Sequence, residues 1–168
     1  MKKTRFRFVS AALATAPLLM AALPARATDS RILAAAGTCG EAKGTSGGPD
    51  RLTMRSWGIW NPTDSPVQVD CGLQRENLVN LDGLRDLDVR FTNMDPVNTK
   101  DIRCFLFSHS AGNGDGMTVE MSITLAPNQS KLMDFGGALN QSEKWGHYGL
   151  SCTLQPLTAI RNILIREY

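Results

Sequence analysis

The sequence predicts an all-β protein, specifically a two-sheet antiparallel β-sandwich. Three observations support this class: strict alternation of apolar and polar residues, turn-forming residues between the alternating segments, and four cysteines after an export signal. No long segment has the 3.6-residue period of a helix, although a helical turn is allowed within residues 137–146. The order of the strands stays open, because jelly-roll and immunoglobulin-like topologies both fit the pattern.

The strand predictions rest on period-2 alternation, which puts every second side chain on one face of a sheet. The clearest cases have apolar residues at alternate positions and are residues 86–92, 102–106, 117–125 and 148–154. Shorter apolar runs predict further strands in residues 52–60, 67–71, 130–135 and 160–167. The last of these changes parity after Ile160, which indicates a bulge or burial on both faces.

The first 27 residues have the three parts of a secretory signal. A basic start from Lys2 to Arg7 precedes an apolar stretch from Val9 to Leu23 and a small-x-small cleavage site from Ala25 to Ala27. The apolar stretch is shorter than the roughly 20 residues that span a bilayer as a helix. We therefore expect a cleaved signal peptide of bacterial style, a secreted or periplasmic protein, and no membrane span in the mature chain.

The mature chain divides into two parts by composition. Residues 28–50 are rich in Gly, Ala, Ser and Thr without a sustained period, which predicts a flexible N-terminal arm. Residues 51–168 hold the alternating segments and form the predicted β-sandwich domain.

Charge argues against a nucleic-acid partner. The full chain has 18 Lys and Arg residues and 16 Asp and Glu residues, but five of the basic residues and none of the acidic ones lie in the signal. The mature chain therefore has a net charge of −3 and no basic run that would bind phosphates.

The cysteines predict two disulfides. All four lie in the exported part, where the compartment is oxidising, and no C-x-x-C pair indicates zinc. Cys104 and Cys152 share a face with the apolar residues of their strands, so both point into the core. This parity favours the pairs Cys104–Cys152 and Cys39–Cys71 among the three pairings that four cysteines allow. We expect no metal and no cofactor.

Several short motifs give the chain a family resemblance. They are Trp60-Asn61 before a turn, Cys71-Gly72-Leu73, Arg103-Cys104-Phe105-Leu106, the run from Tyr148 to Pro156, Ile160 and Glu167. In these features the chain resembles a loose group of small secreted bacterial β-sandwich proteins of unknown function. Gly72 stands where that group usually has proline, and Gln155 intervenes before Pro156. The resemblance implies the sandwich fold and two disulfides, and it implies no site residues.

The candidate binding residues are aromatic or imidazole side chains in strand ends and loops, namely Trp60, Trp145, His109 and His147. Trp57 and Trp60 are three positions apart, so a regular strand would place them on opposite faces, one in the core and one at the surface. Trp145 stands in a polar loop, and exposed aromatic rings suit the binding of sugars or protein partners. His109 and His147 are the remaining candidates.

These features favour a non-enzymatic secreted or periplasmic module that binds a glycan or an envelope protein through its surface. One alternative is a secreted hydrolase in which His109 or His147 acts with Asp115 or with carboxylates among residues 82–95. It requires the histidine and the carboxylate to share a pocket within hydrogen-bond reach. Another alternative is a structural subunit of the envelope or of a fibre, completed by a strand from its partner.

Overall fold

A computed structural model describes residues 29–42, 51–73, 84–109, 116–136 and 147–167. In this part of the chain strands predominate, and there is a single short helix, α1 (Ala35–Thr38). The strands are β1 (Asp29–Ala34), β2 (Cys39–Glu41), β3 (Thr53–Arg55), β4 (Gly58–Trp60), β5 (Val67–Leu73), β6 (Leu84–Asn93), β7 (Lys100–His109), β8 (Gly116–Leu125), β9 (Ser130–Asp134), β10 (His147–Leu154) and β11 (Thr158–Glu167).

The strands form two antiparallel sheets. The first sheet has the order β3-β4-β11-β6-β9, and β1 also pairs with β11. The second sheet has the order β2-β5-β10-β7-β8. The predicted all-β sandwich is therefore confirmed.

The strand order also decides the topology that the sequence left open. β7 pairs with β8, β6 with β9, β5 with β10 and β4 with β11, so each pair encloses the one before it. A long hairpin wound in this way, with successive strand pairs alternating between the sheets, is a jelly roll. β1, β2 and β3 add to the edges and the centre of this eight-strand body.

The core lies between the sheets and is built by the alternation that predicted the strands. In β5, Val67, Val69, Cys71 and Leu73 are buried while the residues between them are exposed. Large side chains with almost no exposed surface fill the space from both sheets: Ile59, Leu84, Leu87, Phe91, Ile102, Leu106, Leu125, Leu150, Leu154, Ile160 and Ile163.

Both disulfides lie within the second sheet and are buried. Cys39 and Cys71 are directly opposite each other in β2 and β5, and Cys104 and Cys152 are directly opposite in β7 and β10. These are the pairs that the sequence favoured. The disulfides therefore link neighbouring strands of one sheet, and they do not join the two sheets.

The N-terminal part of the mature chain differs from the expected flexible arm. Residues 29–34 form β1, which pairs with β11, and residues 39–41 form β2, which pairs with β5. Helix α1 connects the two strands and buries Ala35, so the segment crosses from the first sheet to the second. Small residues suit this crossing because the chain passes close to the core.

A second difference concerns the single strand expected over residues 52–60. This segment is instead a tight hairpin of β3 and β4 with a turn at Ser56 and Trp57. The turn interrupts the regular strand, which changes where the two tryptophans point. The predicted signal peptide, residues 43–50 and the helical turn expected in residues 137–146 lie outside the described residues.

Two buried asparagines hold the loops at one end of the sandwich. The Asn61 side-chain amide donates to the carbonyl oxygens of Ser65 and Leu154, at 2.9 Å each, and its Oδ1 accepts from the backbone and hydroxyl of Thr63. Asn93 makes similar contacts with carbonyl oxygens of the β6–β7 and β8–β9 connections. Each side chain therefore replaces backbone partners that the loops lack.

Replacement of Asn61 by alanine should lower the free energy of unfolding by about 2–4 kcal/mol, because buried polar groups then lose their partners. Urea denaturation of the variant and the parent protein measures this difference. Gln68→Ala, which removes an exposed hydrogen bond to Ser151, is the matched control and should change stability by less than about 0.5 kcal/mol. An Asn61→Ala effect as small as the control would contradict the assigned role.

Candidate functional site

An open groove lies on the outer face of the first sheet. Its volume is about 590 Å³. Residues from β1, the β3–β4 turn, β6, β9 and β11 line it: Ile32, Ala34, Ser56, Trp57, Arg90, Thr92, Ser130, Arg161 and Asn162. The groove therefore crosses the sheet and is built mainly on strands.

A β-bulge in β11 shapes the floor of this groove. Ile160 pairs with Phe91 and Asn162 pairs with Arg90, so Arg161 is one extra residue in β11. The bulge places the consecutive side chains of Arg161 and Asn162 on the outer face, since both line the groove.

The hairpin of β3 and β4 approaches the backbone of β11 closely at this point. Gly58 has a φ of 149°, and a Cβ atom there would lie 2.1 Å from the carbonyl oxygen of Ile160. Only glycine fits this position, because any side chain would clash with backbone atoms. The close approach brings the turn residue Trp57 over β11.

Trp57 and Arg161 form a stacked pair at the wall of the groove. The guanidinium carbon of Arg161 lies 3.9 Å from the centroid of the indole ring, and Trp57 remains 37% exposed. The Nε of Arg161 donates to Thr92 Oγ1 at 3.2 Å, and Thr92 shares a hydrogen bond of 2.7 Å with Ser130 Oγ. These contacts fix an aromatic ring, a cation and two hydroxyl groups relative to one another.

The next row of the same sheet face is acidic. Asp88 lies opposite Asp134, and Arg166 contacts Asp88 at 3.5 Å and Asp86 at 3.3 Å. Burial raises the pKa of Asp88 above its ordinary value, and the charge of Asp134 adds to this increase. Asp88 is buried, and its ion-pair partner is Arg166.

Trp60, which the sequence singled out, lies on the same sheet face as the groove. Trp60 in β4 pairs with Ala159 in β11, and Ala159 pairs with Thr92 in β6. Paired residues of neighbouring strands lie on the same face of a sheet, and Thr92 lines the groove. The expectation that Trp57 and Trp60 occupy opposite faces is therefore wrong, because the turn breaks the strand between them. Trp60 is half-buried and its Nε1 is buried, whereas Trp57 is the tryptophan that lines the groove.

The two histidines come together elsewhere. His109 in β7 and His147 in β10 are directly opposite each other in the second sheet, so the fold does not bring them to the groove of the first sheet. Trp145 and Asp115 lie outside the described residues. Arg90, Arg161, Thr92, Ser130 and Asn162 were not predicted as site residues, since only the pairing of distant strands gathers them.

The described part of the chain contains no group of three or more His, Cys, Asp or Glu side chains placed to hold a metal ion. No helix among the described residues is long and apolar enough to cross a membrane.

No family model matches the chain, and no curated protein matches it. Among solved structures, it is similar to a family 11 carbohydrate-binding module from Clostridium thermocellum in complex with a β-1,3-1,4-mixed-linked tetrasaccharide. The identity is 8%, the TM-score is 0.43, and the match covers 83% of this chain and 85% of that one. A xylan-binding module, CBM15, gives 8% identity and a TM-score of 0.45 over 83% of this chain and 97% of that one.

The raised pKa of Asp88 makes a prediction about stability and pH. An acid whose pKa is higher in the folded state stabilises the fold when it is protonated, and this contribution is lost as the pH rises through the folded-state pKa. Asp88→Asn should therefore raise the melting temperature at pH 7 by a few degrees, and the gain should disappear below about pH 4, where Asp88 is protonated in both states.

Thermal unfolding at a series of pH values measures this effect. Asp64→Asn, at an exposed loop position, is the control and should follow the parent profile at every pH. A gain from Asp88→Asn that is equal at low and neutral pH would contradict the explanation by ionisation.

Proposed function

We propose that this protein is a non-enzymatic, exported binding module that holds a glycan in the groove of the first sheet. The observation that carries the proposal is the exposed indole of Trp57, stacked on Arg161 at the wall of a polar groove of about 590 Å³. The export signal predicted for residues 1–27 and the two disulfides support an oxidising compartment, secreted or periplasmic. Membership of the small secreted β-sandwich group stays part of the same proposal.

The chemistry of the groove suits a sugar. A pyranose ring has an apolar C–H face that packs on an aromatic ring, and hydroxyl groups around its edge that both donate and accept hydrogen bonds. Trp57 supplies the ring, Asn162 and Ser130 supply donors and acceptors, and Arg90 and Arg161 supply donors. This mixture of one aromatic surface with surrounding polar groups is what a specific small-molecule site requires.

The position of the groove on strands supports binding rather than a moving catalytic loop. Its floor is formed by β6 and β11, which are paired along most of their length. Side chains on paired strands are held in place before a ligand arrives, so little conformational entropy is lost on binding.

The other functions have less support among the described residues. The hydrolase hypothesis needs a histidine beside a carboxylate, but the two histidines lie in the second sheet while Asp86, Asp88 and Asp134 lie in the first. The fibre-subunit hypothesis needs a gap for a partner's strand. β11 instead has neighbours of its own chain on both sides, with β1 and β4 sharing one side.

Trp57→Ala should weaken glycan binding by at least about tenfold, because aromatic anchors carry a large share of binding energy. A glycan array with neutral and acidic oligosaccharides identifies a bound sugar, and isothermal titration with that sugar measures the affinity of each variant.

The matched control is Met54→Ala, which removes another exposed apolar side chain from the same hairpin but lies outside the groove. It should bind as the parent does. Failure to bind any sugar, or equal affinities of the Trp57→Ala variant and the parent, would contradict the proposal.

A further inference from the structure

We infer that the groove selects acidic glycans, with a sugar carboxylate of the uronic-acid type bound by Arg90 and Arg161. This inference rests on the proposed function and adds the chemical class of the ligand. The charges of the groove are the basis for this class of ligand, because the aromatic ring alone would accept neutral and acidic sugars alike.

Arg90 and Arg161 are the two charged residues that line the groove, and neither has a carboxylate partner within the described ranges. Several other arginines do have one: Arg51 pairs with Glu41, Arg103 with Glu120 and Arg166 with Asp86. The groove therefore presents two uncompensated positive charges, although the mature chain as a whole is predicted to carry −3. A site with this local excess favours an anion.

Arg161 is held in a conformation that leaves donors free. One face of its guanidinium lies against Trp57, and its Nε donates a hydrogen bond to Thr92 Oγ1. Neither terminal nitrogen atom has a hydrogen-bond partner among the described residues, and a planar guanidinium matches the two oxygen atoms of a carboxylate. Because the side chain is already ordered, binding an anion costs less entropy.

Arg90 lines the same groove as Arg161 and is exposed. It stands opposite Asn162 in β11 and Leu132 in β9, and neither neighbour carries a charge. Asp88, two residues earlier on the same face of β6, is contacted by Arg166 instead. This arrangement explains why the acidic row does not neutralise Arg90.

The stack of Trp57 on Arg161 places the ring that would contact the sugar next to the guanidinium that would bind its carboxylate. A sugar ring that packs on the exposed surface of the indole has its substituents at the ring edge, close to the guanidinium held against that same indole. The carboxylate of a uronic acid is such a substituent. A neutral hexose would keep the stacking contact but would leave both charges without a partner.

Polygalacturonate and its methyl ester test the inference, because esterification removes the charge and keeps the sugar backbone. Affinity electrophoresis and titration at low ionic strength should show at least about tenfold tighter binding of the free acid. Added salt should reduce this preference, since exposed charges are screened. Arg90→Gln and Arg161→Gln should each reduce binding of the acid by at least about fivefold and reduce binding of the ester by a smaller factor, because the ester lacks the charge that the arginines would pair with.

Arg103→Gln is the matched control. Arg103 also lies over an aromatic ring, 4.9 Å from the centroid of Phe105, but it pairs with Glu120 and lies on the second sheet. This variant has the same change of net charge and should bind as the parent does. Dextran sulfate is the second control, because it has charge without a carboxylate and should bind more weakly than polygalacturonate.

The outcomes separate the two proposals. Equal binding of acid and ester, lost in both cases with Trp57→Ala, would overturn the acidic ligand and leave the glycan site intact. If the Arg103→Gln variant loses as much affinity for the acid as the Arg90→Gln and Arg161→Gln variants, the effect is general charge attraction and the inference is overturned. Tighter binding of dextran sulfate than of polygalacturonate would overturn it for the same reason. Absence of binding to any glycan would overturn both proposals.

Discussion

The bulge at Arg161 in β11 is the structural feature on which the surface of the first sheet depends. β11 is the central strand of that sheet, with β6 along one side and β4 followed by β1 along the other. The extra residue occurs between the stretch that pairs with β4 and the stretch that pairs with β1. One local irregularity thus coincides with the change of neighbour and gives the outer face two consecutive polar side chains, Arg161 and Asn162.

The bulge and the hairpin of β3 and β4 depend on each other. The turn at Trp57 reaches β11 only because Gly58 has no side chain to clash with the backbone of Ile160. The indole then covers the guanidinium of the bulged residue, which would otherwise project into solvent. A ring and a cation that are 104 residues apart in sequence are thus stacked on each other at the wall of the groove.

The two sheets are stabilised by different means, and this difference suits a binding module. The second sheet has both disulfides, which join β2 to β5 and β7 to β10. The first sheet is held by strand pairing and by the apolar core, and its outer face has the groove. Covalent links in the second sheet restrict the unfolded chain without placing any constraint on the side chains of the groove.

In two segments the local sequence pattern did not predict the structure. Residues 28–50 as a whole have a composition typical of a loose arm, yet residues 29–34 form β1 because β11 offers an unpaired edge beside β4. Residues 52–60 have the apolar content of one strand, yet they fold back as a hairpin whose second strand must meet β11. In both cases a distant strand decided the structure, and no window of the sequence contains that partner.

The sequence by itself determined the all-β class, most of the strand positions and the pairs Cys39–Cys71 and Cys104–Cys152. These features follow from period-2 alternation and from the parity of the cysteines within it, both of which are local properties of the chain. Only the tertiary structure decided the jelly-roll order, the presence of Trp57 rather than Trp60 in the lining of the groove, and the placement of Arg90 and Arg161 in that same groove. Those features depend on register and on one bulge, and strand register is set by contacts between residues far apart in the sequence.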